Sequence, residues 1–113
     1  MPSSPSAIGY LRSDISGARQ RWDETQIRHT AARFGYNLLK IIVFSARTDR
    51  VMHRLHTALD RAMADAIVTP SLRHFESAEA PAELLAVAAV ITVTPERMFA
   101  RWVAPTKPAG GLK

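Results

Sequence analysis

The chain has 113 residues, a net charge of +5 at neutral pH, 15 lysines and arginines against 10 carboxylates, and no cysteine. One domain is expected, and a chain of this size buries roughly two-thirds of its unfolded surface, so a single core suffices without staples. Disulfides and thiolate chemistry are excluded, a reducing compartment is favoured, and the basic balance favours polyanionic partners.

No apolar run reaches the ~18 residues that a membrane helix needs, so a membrane is not an expected partner. The opening MPSSPSA lacks a basic region followed by an apolar one, unlike a signal peptide. The expected location is the cytoplasm.

Residues 1–6 hold two prolines and three serines and read as a disordered lead-in. Residues 7–12 read as a strand, with Ile8, Tyr10 and Arg12 alternating against Ala7, Gly9 and Leu11. Ser13 to Gly17 is a polar turn. From Ala18 to Phe34 the apolar spacing becomes helical, with Trp22, Ile27, Ala31 and Phe34 on one face and Gly35 placed for a left-handed cap. Tyr36 to Phe44 has the β-branched and aromatic density of a buried strand.

After the turn Ser45 to Thr48, Thr48 can cap a helix starting at Asp49, whose charge suits the helix amino end. Leu55, Leu59 and Met63 carry the helical repeat forward. Ala66 to Thr69 is a short strand ended by Pro70. A polar loop, Ser71 to Ala80, leads through Pro81 to a short helix over Ala82 to Val87. Ala89 to Thr94 reads as a fourth strand. Thr94-Pro95-Glu96 has the form of a helix start, and Met98, Phe99 and Trp102 give that segment an apolar face. Residues 104–113 read as a flexible tail, leaving 7–103 as the domain.

Strand and helix alternate four times. The expected fold is therefore α/β: a mostly parallel four-stranded sheet with right-handed crossovers, flanked by helices in three layers. Ligands of such sheets sit at the carboxyl ends of the strands. Arg12, Arg47, Arg50 and Arg73 all fall near that edge, and guanidinium groups fork onto phosphate oxygens. Ser13 is the candidate nucleophile beside the first strand, although a serine needs a base or strong electrostatic help. His53 and His56 share a helix face but have no evident third ligand, so no metal site is expected. Neither a Gly-rich phosphate loop nor a nucleophile elbow occurs, and no cofactor is implied.

These features together resemble the catalytic domain of the serine recombinases, the resolvase and invertase group. That family opens on a strand of the form Y-x-R-V-S, here Tyr10-Leu11-Arg12-Ser13-Asp14. Its first helix often carries L-x-x-x-A-x-x-x-G before an aromatic and a strand, matched by Ile27, Ala31, Gly35 and Tyr36 and then Leu38 to Val43. Asp49-Arg50, Leu55, Leu59, Asp65 and Ile67-Val68 follow the family's order and spacing.

The chemistry departs from the family. The nucleophile position falls on Asp14, and Ser13 lies one place early. An acidic residue expected after the second strand is missing from Val43-Phe44-Ser45. The later L-D-R-L-x-R signature becomes Ser71-Leu72-Arg73-His74-Phe75-Glu76, which keeps only Arg73. The resemblance thus implies three phosphate-holding arginines, Arg12, Arg50 and Arg73, without the nucleophile.

The expectation is a catalytically inactive binding or oligomerisation module. DNA is its candidate partner through the arginine edge. A homodimer or protein partner is the candidate for Met98, Phe99, Trp102 and Val103. The alternatives are an active DNA strand transferase using Ser13, or a regulatory protein reusing the fold.

Overall fold

The computed structural model describes residues 4–102. The chain runs through β1 (Ser6–Arg12), a short α1 (Ser13–Ser16), α2 (Gln20–Arg33), β2 (Asn37–Phe44), α3 (Val51–Ala62), β3 (Ala66–Thr69), a short α4 (Ala82–Leu85), β4 (Ala89–Thr92) and β5 (Arg97–Phe99). The strands lie in the order β2-β1-β3-β4-β5. The first four are parallel, and β5 runs antiparallel to β4.

The chain first moves from β1 outward to β2, then returns past β1 to β3. That reversal puts α2 and α3 on opposite faces of the sheet. Ile27 and Ala31 of α2 pack with Ala7, Leu11, Val68 and Ile91. Leu55 and Leu59 of α3 pack with Ile8, Tyr10, Ile67 and Val90. Alternate residues of β1, β3 and β4 thus serve two cores, which is why these strands are apolar almost throughout.

Two glycines are set by local geometry. A Cβ on Gly9 would stand 2.9 Å from both Ile27 Cγ2 and Ile41 Cγ1, so only glycine lets α2 and β2 close on β1 here. Gly35 has φ 82° and ends α2 with amide bonds from Gly35 and Tyr36 back to the carbonyls of Ala32 and Ala31.

The structure corrects several expectations. The sheet has five strands, because residues 97–99 form β5 where a fourth helix was expected. β5 pairs antiparallel with β4, Phe99 opposite Val90 and Arg97 opposite Thr92, a non-local reward that the Thr-Pro-Glu helix signal does not register. β2 is an edge strand and only partly buried, with Leu39 and Val43 exposed. Trp22 points outward, stacked under the Arg19 guanidinium at 4.7 Å, and Asp23 takes the inward place. The Thr48 hydroxyl accepts the Ser45 amide, and α3 starts two residues later than expected, at Val51, with Arg50 at φ 51° before it. No helix among the described residues is long and apolar enough to cross a membrane.

Candidate functional site

Helices leave β1 and β3 toward opposite sides of the sheet, so the loops after these two central strands separate. A crevice opens between them, the usual ligand position in open α/β sheets. His74, from the loop after β3, occupies that crevice. Its Nδ1 accepts the Arg12 amide at 2.9 Å, and its backbone carbonyl accepts the Tyr10 hydroxyl at 2.6 Å. An Nδ1 that accepts carries no proton, so the ring is neutral with its hydrogen on Nε2. Burial holds the His74 pKa below the ordinary histidine value; Asp23 opposes that effect, while Arg12 and Arg73 add to it.

His74 divides two concavities. The larger, of about 820 Å³, is lined by Tyr10, Arg12, Thr48, Arg50, His74 and Glu76, among others. The smaller, of about 280 Å³, has Ser16, Arg19, Asp23, Arg73 and His74 in its walls. The Ser16 hydroxyl donates to Asp23 at 2.7 Å, and both residues are nearly buried. That hydrogen bond binds the serine to the carboxylate instead of to the imidazole, so the three do not form a relay in which the base takes the serine's proton.

The expected arginines divide between these spaces. Arg12 and Arg50 share the larger cleft, whereas Arg73 lines the smaller one behind His74. Arg47 is exposed and lines neither. The Arg12 guanidinium is held at two points by Asp14, with Nε 3.1 Å from Oδ1 and Nη2 2.6 Å from Oδ2. This pairing lowers the Asp14 pKa and raises that of Arg12. Arg50 is exposed and carries the only cationic guanidinium on the cleft besides Arg12 among the described residues. α3 begins at that wall without a side-chain cap, so its first amides remain available to an acceptor.

Ser13 stands in α1, half-buried, and lines neither concavity. His56 faces a different groove, beside Asp60 and Asp65, and His53 lines that groove as well as the larger cleft. No group of three or more His, Asp or Glu among the described residues can hold a metal ion. Met98 and Trp102 are exposed, and Phe99 is half-buried against the α3-side core with Arg97 over its ring at 4.8 Å. Val103 lies outside the described residues.

Sequence reasoning missed His74, Asp23 and Ser16. His74 was passed over because Arg12 lies 62 positions away in the chain. A polar residue at an inward helix position, Asp23 one turn before the apolar Ile27, was the one signal available for the smaller concavity. Comparison with known proteins returns no match: no family model, no curated protein and no solved structure matches the chain.

Proposed function

We propose that this chain is a non-catalytic binding module of the serine-recombinase type, whose larger cleft takes a phosphodiester of DNA without cutting it. One observation carries the reading: the Asp14 carboxylate, at the place of the family's nucleophile, is bonded at two points to the Arg12 guanidinium. A carboxylate there forms no phosphoserine-type bond to DNA, and its charge opposes a phosphate's approach to Arg12. What remains for binding is Arg50 together with the uncapped start of α3, a basic side chain beside free backbone amides. Self-association through Met98 and Trp102 is the second part of the proposal, supported by the exposure of both residues, one in the last strand and one after it.

The test is a titration with a dinucleotide, followed by amide chemical shifts. Shifts concentrated at Val51, Met52 and His53, and reduced in R50A, are the expected result. No shift at those amides removes the phosphodiester site. A covalent protein–DNA adduct that disappears in S13A overturns the non-catalytic reading.

A further inference from the structure

On the far side of Arg50, a shallower groove of about 380 Å³ runs between the exposed edge of β2 and the outer face of α3. Its polar lining is Lys40, Arg50, His53, Arg54, Thr57 and Arg61, and it contains no carboxylate residue. Lys40 comes from the sheet and the others from α3 or its first cap, so the basic groups line both walls. Arg50, Arg54 and Arg61 recur at helical spacing along one side of α3. At about 1.5 Å per residue, the run from Arg50 to Arg61 covers about 16 Å. A duplex strand advances about 3.4 Å along the duplex axis per phosphate, so this length is on the scale of a few phosphates.

The groove is continuous with the larger cleft, because Arg50 and His53 line both. The opposite flank of α3 differs in sign: Asp60 and Asp65 line the groove there. The basic groups are therefore sorted to one side of the helix instead of being spread for solubility. Arg54 currently bonds Asp49, with Nη2 at 2.8 Å from Oδ1, but both side chains are more than half exposed. Such a pair is worth little in water and yields readily to a phosphate.

We infer that this α3–β2 groove is a second, sequence-independent contact for a nucleic-acid backbone, extending the cleft's single phosphodiester site into a track. The inference rests on the proposed function for its starting point at Arg50, and adds Lys40, Arg54 and Arg61 as contacts. A phosphodiester backbone fits better than an anionic membrane. The groove is concave, and its lining contains no large apolar side chain to insert among lipids, because Leu55 and Leu59 of α3 are in the core. These cations are matched to phosphates, so the contact orients the polymer without selecting sequence.

The experiment measures binding of the full chain to mixed-sequence oligonucleotides, duplex and single-stranded, over a range of salt. Wild type is compared with R54A/R61A and with R21A/R28A, which removes the same charge from exposed positions on α2, across the sheet. The expected result is about tenfold weaker low-salt binding for R54A/R61A and a log–log salt slope smaller by about two, with R21A/R28A near wild type. Equal losses in the two double variants overturn the track in favour of diffuse charge. So does preferential binding to phosphatidylserine vesicles. An oligonucleotide that binds no more tightly than the dinucleotide also overturns it, while shifts at the α3 amides leave the cleft site standing. If neither probe binds, both readings fail. Arg54 and Arg61 are exposed, so folding of the variant is not at issue, and circular dichroism verifies it.

Discussion

The Arg12 amide donates to His74 Nδ1 at 2.9 Å and so joins the end of the first strand to the loop after the third. The bond exists only while that nitrogen is unprotonated. Burial lowers the pKa of His74 in the fold relative to the unfolded chain, where histidine titrates near 6.5. Below about pH 6.5 the unfolded chain therefore takes up the proton first, and stability declines as pH falls through the lowered folded value. Urea midpoints measured from neutral to mildly acidic pH are expected to show this loss. H74N keeps an acceptor near the Nδ1 position but cannot titrate, and its acid-side loss should be smaller. An identical slope in both proteins removes His74 from the explanation.

Tyr10 supplies the other half of this junction. Its hydroxyl is buried and donates to the His74 carbonyl at 2.6 Å. Burial pushes its pKa up to about 12, against 10 for a free phenol. The phenol therefore contributes stability below about pH 10 that is lost as pH rises toward 12, the reverse of the histidine case. Y10F should cost about 1 kcal/mol at neutral pH, because the carbonyl loses its partner, and should remove that share of the alkaline decline. Denaturation curves at neutral and alkaline pH measure both effects.

The central strands and their helices were legible because their signals are local. Ile8, Tyr10, Ile67 and Val90 sit in short apolar runs, and Leu55 and Leu59 repeat at one helical turn. What was not legible depends on neighbours far along the chain. β2 has the composition of a buried strand, yet sheet order makes it an edge. Residues 95–102 have a helix's opening residues, yet β4 offers Arg97 to Phe99 a ladder. The arginine edge was half legible: spacing placed Arg12 and Arg50 at one end of the sheet. No spacing rule shows that His74 stands between them and Arg73.

Gly9 tests how closely α2 must approach the sheet. An added Cβ meets Ile27 and Ile41 at 2.9 Å, one from α2 and one from β2. G9A should lose about 1–3 kcal/mol through overpacking, read from the denaturant midpoint. Cutting the helix partner back to its Cβ removes the crowding Cγ2, so G9A/I27A is expected to be less unstable than the sum of the two single changes. Strict additivity would mean that the strain is taken up elsewhere.

Asp14 occupies the Arg12 guanidinium at two points on the rim of the cleft. D14N keeps the size of the side chain and removes its charge. The guanidinium is then free to face a phosphate, and dinucleotide binding should tighten by about two- to fivefold, as expected for a partly exposed charge in water. The gain should vanish in R12A/D14N. A gain that survives loss of Arg12 assigns the effect to general charge, and no gain means that Arg12 does not reach the ligand.

Two roles were open for the apolar residues at the end of the sheet, and burial divides them. Phe99 is half-buried against the α3-side core, whereas Met98 and Trp102 are 44% and 59% exposed. A fully buried phenylalanine costs about 3–5 kcal/mol when cut to alanine, so F99A should cost about half that. M98S/W102S removes exposed surface and should change stability by no more than about 0.5 kcal/mol. Self-association separates the two further. If Met98 and Trp102 meet a second copy, sedimentation of M98S/W102S shifts toward monomer while F99A, corrected for its unfolded fraction, keeps the wild-type midpoint. A double variant that sediments as wild type removes this surface from the proposed function and leaves the cleft at Arg50 as its only binding element.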